Sequence, residues 1–189
     1  MKGSRAVKNQ IKKEMDGVSS NSSEQIEKGL EDALGKMLKE GMTPKDAFGV
    51  SSSVLESVYA QAYRLYNTGK FVEAIHLFRI LILMNTTEPK YTLGLAACFH
   101  MLKEYKNAIQ AYTMCTVIDP VSPIPHYHAS DCFIQMKDSL SAMISLQMAI
   151  DKAEGKAEYA KIKERAVLTL ESLKQQPQLT TPEFTEESM

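Results

Sequence analysis

Residues 58–78 read VYAQAYRLYNTGKFVEAIHLF and decide the fold, because the same pattern returns twice farther along the chain. Residues 92–112 read TLGLAACFHMLKEYKNAIQAY, and residues 126–146 read HYHASDCFIQMKDSLSAMISL, each 34 positions after the copy before. Matching residue types recur in five columns: Ala62, Ala96 and Ser130; Leu65, Phe99 and Phe133; Ala74, Ala108 and Ala142; Phe78, Tyr112 and Leu146; Leu81, Cys115 and Ala149. The centre of the chain therefore contains three copies of one structural unit.

A period of 34 residues with small residues at fixed positions is typical of the tetratricopeptide repeat, a pair of antiparallel helices. We expect the turns between paired helices near Gly69, Lys103 and Lys137. The repeats are framed as residues 55–88, 89–122 and 123–156. The predicted fold is all-α: three repeats forming a short right-handed superhelix, with an N-terminal helical segment and a C-terminal capping helix.

On the N-terminal side, residues 23–54 are predicted to be helical. Apolar residues recur there at the spacing of one helix face, at Ile26, Leu30, Ala33, Leu34, Met37 and Leu38. Gly41 follows where a left-handed residue ends a helix at little cost. Thr43 and Pro44 then resemble an N-cap and a first helical residue, so a second, short helix is expected.

On the C-terminal side, the third repeat is the least regular, and a weak terminal repeat needs a cap. Residues 157–176 supply one, because Tyr159, Ile162, Ala166 and Leu170 recur at helical spacing. The polar residues 1–22 and the acidic, proline-punctuated residues 177–189 are expected to be disordered.

Composition excludes several classes of protein. The chain has 189 residues and a formal net charge of −1, whereas nucleic-acid-binding proteins usually carry a basic excess. No apolar run approaches the roughly 20 residues that span a bilayer. The basic start has no apolar segment behind it and does not resemble a secretory signal. A cytoplasmic protein that binds no nucleic acid and does not insert into membranes is therefore expected.

Residues that could take part in catalysis or bind a metal are scattered along the sequence and form no recognisable catalytic motif. Cys98, Cys115 and Cys132 are spaced by 17 residues without a paired motif, so we interpret them as reduced packing residues. His126 and His128 lie two apart and point in different directions on a helix. We expect no metal, no cofactor and no enzymatic activity.

The repeat frame predicts a binding groove, because the first helix of each repeat lines the concave face. Its outward positions carry aromatic and apolar residues rather than charges. The candidate binding residues are Tyr59, Tyr63, Tyr66, Leu93, Ala97, His100, Tyr127, His128 and Asp131. A tyrosine stripe at helical spacing also fits helix packing, but the repeat already assigns other residues to the core. A contiguous exposed apolar patch instead favours an interaction surface.

Three stretches, residues 58–78, residues 93–120 and residues 125–135 (PHYHASDCFIQ), resemble the class II chaperones of bacterial type III secretion. These are the SycD- and LcrH-like chaperones of translocator proteins. The runs LGLAAC and PHYHASDC carry most of the resemblance, because the turn around Gly69 is generic to the repeat. The similarity extends from about Leu30 to Ile150.

The resemblance implies a cytoplasmic chaperone that keeps one or two hydrophobic translocators soluble and competent for secretion. Family members bind a short extended client segment in the concave groove, with aromatic residues that match Tyr59, Tyr63 and Tyr66. Many also dimerise through the N-terminal helical region, here about Glu24–Gly49, so a client-free homodimer is implied. The implied dimer contacts are Ile26, Leu30, Leu34, Met37 and Leu38.

A general repeat adaptor for another peptide partner is the alternative. Co-chaperones of that class grip a C-terminal carboxylate with Lys and Asn at fixed groove positions. The matching positions here hold Tyr59, Tyr63, Gly94, Ile124 and His128. The cationic clamp is missing, so the sequence favours an apolar peptide over an acidic one.

Overall fold

The computed structural model describes residues 25–175 as two compact units. The first unit comprises residues 25–56 together with Leu83–Asn85, and the second comprises Ser57–Ile82 and residues 86–175. The predictions of disorder for residues 1–22 and 177–189 fall outside the described residues. Within residues 25–175, no helix is both long and apolar enough to cross a membrane.

The first unit begins with helix α1, residues 25–40, which ends at Gly41 with a left-handed φ of +67°. Helix α2 follows at Pro44–Ala47. Its N-cap is Thr43, whose Oγ1 accepts a hydrogen bond from the Asp46 backbone N–H at 3.2 Å. The predicted helix stop and the predicted cap followed by proline are both confirmed, because each follows from local backbone chemistry.

Helical pairs occupy the repeat region, as the sequence predicts. The helices are α3 (Ser52–Asn67), α4 (Phe71–Met84), α5 (Pro89–Met101), α6 (Tyr105–Ile118), α7 (Ile124–Gln135) and α8 (Ser139–Ala153). From α5 to α8, each helix packs against the next helix along the chain. Helix α3 begins at Ser52, three residues before the first framed repeat. The all-α repeat fold is therefore confirmed.

The 34-residue period appears in the backbone as well as in the side chains. Gly69, Lys103 and Lys137, each 34 residues after the one before, have positive φ values of 78°, 60° and 61°. After each, the next backbone N–H reaches back to a carbonyl five residues earlier; in repeat 2, Glu104 N–H donates to Phe99 O at 2.9 Å. This is the Schellman geometry of a helix end.

Small and apolar side chains of the repeat columns form the core. Four of the five columns are buried: Ala62, Ala96 and Ser130; Ala74, Ala108 and Ala142; Phe78, Tyr112 and Leu146; Leu81, Cys115 and Ala149. The small residues let neighbouring helices approach closely, and the larger ones fill the space between them. The fifth column, which begins with Leu65, is half-buried.

All three cysteines are buried and form no disulfide. Burial raises the pKa of the Cys98, Cys115 and Cys132 thiols to about 12. They are therefore neutral at physiological pH, and a neutral thiol is a poor nucleophile and metal ligand. Their role as packing residues agrees with their place in the repeat register.

The C-terminal cap consists of a 3₁₀ turn, Ala157–Tyr159, and helix α9, Ala160–Gln175. Helix α9 packs on α8, where Leu146, Ala166 and Leu170 form a buried cluster. A helix thus follows the third repeat as predicted, and it covers apolar surface that this repeat would otherwise expose.

Replacing Lys103 and Lys137 with Gly is expected to stabilise the protein. A non-glycine residue with positive φ carries a steric cost between its Cβ and the backbone, and Gly removes it. The larger entropy of Gly in the unfolded chain offsets part of the gain. The expected increase in unfolding free energy is about 0.5–1 kcal/mol for each site, measured by urea unfolding.

Gln110→Gly is the control, because Gln110 is an exposed residue in the interior of α6. It is expected to lower the unfolding free energy by about 1 kcal/mol. Equal destabilisation by all three substitutions would contradict the strained-turn interpretation.

Candidate functional site

A cavity of 390 Å³ in the second unit is lined mainly by the first helices of the repeats. We call it the aromatic groove. It is lined by Tyr59, Tyr63, Tyr66, Phe78, Lys90, Leu93, Gly94, Ala97, His100, Met101, Tyr112 and His128. The lining is mostly apolar and aromatic, with a few polar atoms, as is usual for peptide and ligand sites.

Three tyrosines of α3 form one wall of the aromatic groove. The Tyr59 and Tyr63 rings are stacked, with centroids 6.3 Å apart. Tyr66 meets Phe71 edge-on at 5.5 Å. Tyr63 remains 53% exposed, although it is a large aromatic residue. The i, i+4, i+7 spacing places all three on one helix face, and their packing fixes the rings without covering them.

The floor depends on a close approach between α4 and α5. A Cβ added at Gly94 would lie 2.4 Å from Cε1 and Cζ of Phe78, so the Phe78 ring occupies the space of the missing side chain. Phe78 also meets Tyr59 edge-on at 6.2 Å. The Phe78 ring therefore fills the space at Gly94 and forms part of the groove lining.

Two histidines and one tyrosine form the polar end of the aromatic groove. Tyr112 lies between His100 and His128: its hydroxyl is 3.4 Å from His100 Nδ1, and its ring stacks on His128 at 5.8 Å. Burial lowers the pKa of His128, although Asp131 opposes that shift. Because a lowered pKa favours neutral imidazole, His128 presents hydrogen-bonding nitrogen rather than charge at neutral pH.

Lys90 brings a positive charge to the rim. Its Nζ lies 4.7 Å from the centroid of the Tyr59 ring and 5.6 Å from that of Tyr91. This is the range of a cation–π interaction, which orients the ammonium and leaves the aliphatic stem along the groove wall.

Seven of the nine candidate binding residues meet in the aromatic groove: Tyr59, Tyr63, Tyr66, Leu93, Ala97, His100 and His128. Tyr127 and Asp131 do not line it. Tyr127 packs against the cluster of Leu146, Ala166 and Leu170 beneath the cap. Consecutive helical residues point about 100° apart, so α7 directs His128 into the groove and Tyr127 away from it.

Asp131 lies beside the groove and not in its lining. Its Oδ2 is 4.0 Å from Nδ1 of His128, and burial raises its pKa. It therefore acts on the groove through His128. Phe78 and Tyr112, which share one column of the repeat, are both buried, yet both also line the groove.

Among residues 25–175, no group of three or more His, Cys, Asp or Glu side chains is arranged to hold a metal ion. His128 and Asp131 lie near each other, one turn apart on α7.

Four of the five implied dimer contacts on α1, in the first unit, are exposed. Ile26 is 71% exposed and Leu38 is 84% exposed, and Leu30 and Leu34 are each nearly half exposed. Met37 is half-buried. Such a stripe along one helix face is more than isolated surface residues produce.

Comparison with known proteins identifies the relatives of the chain. The tetratricopeptide repeat family matches residues 55–84 and 89–120. The chaperone protein SicA of Salmonella typhimurium is 28% identical over 160 residues, which cover 85% of this chain and 92% of SicA. A T3SS complex from Aeromonas hydrophila is 30% identical, with a TM-score of 0.70, covering 75% of this chain and 95% of that chain.

The Yersinia enterocolitica type III secretion chaperone SycD is similar in both sequence and structure. It is 30% identical, with a TM-score of 0.64, and the match covers 66% of this chain and 95% of SycD. That structure contains SycD with a peptide of the translocator YopD. Another structure, with the same measures of similarity, shows SycD in an alternative dimer.

Proposed function

Since this chain belongs to the class II, SycD-like chaperones of type III secretion, we propose that it is a cytoplasmic chaperone for hydrophobic translocator proteins. It binds an extended apolar segment of the client in the aromatic groove. The bound segment is thereby kept from self-association, and the client stays soluble and competent for secretion. Residues 55–156 supply the groove, and residues 23–54 supply the contact between chaperone copies.

The aromatic groove is the observation that carries this proposal. Its tyrosine wall is pre-arranged by stacking, so few side chains lose freedom when a client segment binds. Tyrosine provides broad apolar contact with a polar tip, which suits a segment whose backbone still needs hydrogen bonds. Removing apolar client surface from water contributes about 25 cal/mol per Å² of that surface.

A few anchors are expected to carry most of the affinity. Tyr63 is the most exposed large side chain of the tyrosine wall and has the most surface to bury on binding. Leu93 and Ala97 form the opposite, smooth side along α5. His100 and His128 at the polar end offer hydrogen bonds to the client backbone.

Co-expression with candidate hydrophobic secreted proteins tests the function directly. We expect one or two translocators to co-purify with the chain and to precipitate when expressed alone. Native mass measurement of the complex gives its stoichiometry. A client that remains equally soluble without the chain would contradict the chaperone function.

The N-terminal segment is proposed to form a homodimer when no client is bound. Ile26, Leu30, Leu34, Met37 and Leu38 recur on one face of α1, and four of them are exposed large apolar residues. A second copy would cover this face with an identical one, as a twofold interface requires.

Replacing Leu30 and Leu34 together with Asp is expected to convert the dimer into a monomer. Both side chains are nearly half exposed, so the substitution should cost the folded monomer little. Light scattering after size-exclusion chromatography measures the mass, and circular dichroism measures the helical content. Glu27→Ala and Glu31→Ala on the same helix are the controls and should remain dimeric. A double Asp variant with the mass of a dimer would rule out this interface.

The general adaptor is the second candidate from the sequence. Among residues 25–175, Lys90 is the single Lys or Arg side chain that lines the aromatic groove, and a carboxylate clamp needs more than one such donor. A pull-down separates the two functions. We expect the chain to retain the translocator and not to retain a peptide with an acidic C-terminus.

A further inference from the structure

A second cavity adjoins the aromatic groove at the start of α5. Its volume is 260 Å³, and it shares Lys90 and Leu93 with the groove. These two side chains are therefore a common wall, with one cavity on each side. The second cavity lies where α5 and α7 begin.

The far wall of the second cavity comes from the C-terminal cap rather than from a repeat. Tyr159, the last residue of the 3₁₀ turn, lines it. Lys156 ties that turn to the loop between repeats: its Nζ donates to Val121 O at 2.7 Å and lies 5.8 Å from the Tyr159 ring centroid. The wall is thus fixed in place before anything binds.

The interior of the second cavity suits an apolar side chain. Pro89, Ile124 and Pro125 supply apolar surface. Cys115 lies at its base, buried and neutral, because burial raises the pKa of its thiol to about 12. The hydroxyl of Ser122 already accepts a hydrogen bond from the Ile124 N–H at 3.4 Å.

The charged residues of the second cavity also limit which client side chains can enter it. Within the part of the chain that the structure describes, Glu88 and Asp119 line it together with one cation, Lys90. Like charges brought together in a confined site repel each other. An acidic side chain is therefore excluded, whereas an apolar one is accepted.

We propose that one client segment occupies the aromatic groove and this second cavity together, and that Tyr159 determines which segments bind. The inference rests on the proposed function, because the occupant is the same translocator segment. An extended chain advances about 3.3 Å per residue, so cavities that share one wall accept side chains about two to four residues apart. The C-terminal cap thus has two roles: it covers the last repeat, and it helps to select the client segment.

The test uses synthetic 20-residue peptides tiled across the translocator that co-purifies with the full chain. Each apolar residue of the tightest-binding peptide is replaced with Ala, and binding is measured by fluorescence anisotropy to wild type and to Tyr159→Ala. We expect Tyr159→Ala to weaken the parent peptide about tenfold. One Ala-substituted peptide is expected to bind wild type about tenfold more weakly and to lose nothing further with Tyr159→Ala.

Two control variants separate recognition from folding. Tyr159→Phe keeps the ring and is expected to bind like wild type. Leu168→Ala changes an exposed apolar residue elsewhere on the cap and should also bind like wild type. Thermal unfolding of each variant shows whether the cap is intact.

The outcomes distinguish this inference from the proposed function. If no translocator peptide binds wild type, the proposed function fails. If peptides bind wild type but Tyr159→Ala binds all of them equally well, the groove stands and the second cavity has no role. If every Ala-substituted peptide loses the same factor with Tyr159→Ala, no peptide side chain enters the second cavity, and the inference is overturned.

Discussion

Replacing Tyr63 and Tyr66 together with Ala will abolish co-purification of the translocator while leaving the helical content of the chaperone unchanged. Both rings form the wall of the aromatic groove, and Tyr63 is 53% exposed in the absence of client. Truncating an anchoring tyrosine typically costs about 2 kcal/mol or more of binding free energy. Two such losses amount to roughly a thousandfold in affinity if they add.

The fold should tolerate this change because neither ring belongs to the buried columns of the repeat. Tyr66 contacts Phe71 at 5.5 Å, so a modest loss of stability is expected, but Ala has the highest helix propensity. Tyr63→Phe with Tyr66→Phe is the matched control and should retain most of the binding, since it keeps both rings. Leu140→Ala, an exposed apolar residue of α8, controls for a general loss of surface apolarity. Normal client solubility with the double Ala variant would overturn the assignment of the groove.

Replacing Gly94 with Val will destabilise the protein by about 3 kcal/mol, the upper end of the usual cost of overpacking a core. A Cβ at this position lies 2.4 Å from the Phe78 ring, which is only 1% exposed and has little free space to enter. A displaced ring would also rise into the groove, so client binding is expected to fall as well. Urea unfolding measures the first effect, and peptide titration below the unfolding transition measures the second.

Gly35→Val is the control for the helix itself. Gly35 lies within α1, and a Cβ there meets nothing within 4 Å, so the substitution should be neutral or slightly stabilising. Combining Gly94→Val with Phe78→Leu removes the ring atoms that clash. This double variant is therefore expected to be more stable than the sum of its two single effects. Simple additivity would show that the ring is not the cause.

The repeat register could be predicted from the sequence because side chains of similar volume recur at a fixed period. Ala62, Ala74 and Phe78 each recur in kind 34 and 68 residues later, and all nine positions are buried. The turns follow the same period, and even lysines adopt the left-handed conformation at 103 and 137. Local rules also located the helix stop at Gly41, since a positive φ is a property of a single residue.

The candidate site was less fully predictable. The frame placed Tyr59, Tyr63 and Tyr66 on one face, and the structure brings them together. The repeat frame also placed Tyr127 in the groove, but in the structure the Tyr127 ring packs against the cluster that contains Leu146, beneath the cap. A repeat pattern treats matching positions of all repeats as equivalent. The last repeat, however, packs against the cap where the others pack against a further repeat, so its side chains have different surroundings.

The sequence by itself determined the fold class, the number and frame of the repeats, the tyrosine face and the family resemblance, because each depends on periodicity or on residues close in the chain. Only the tertiary structure decided that Phe78 fills the space at Gly94, that Tyr112 stands between two histidines, and that Tyr159 walls a second cavity. Those contacts join residues that lie on different helices. Their distances depend on how closely the helices pack, which follows from the whole core and not from any one segment.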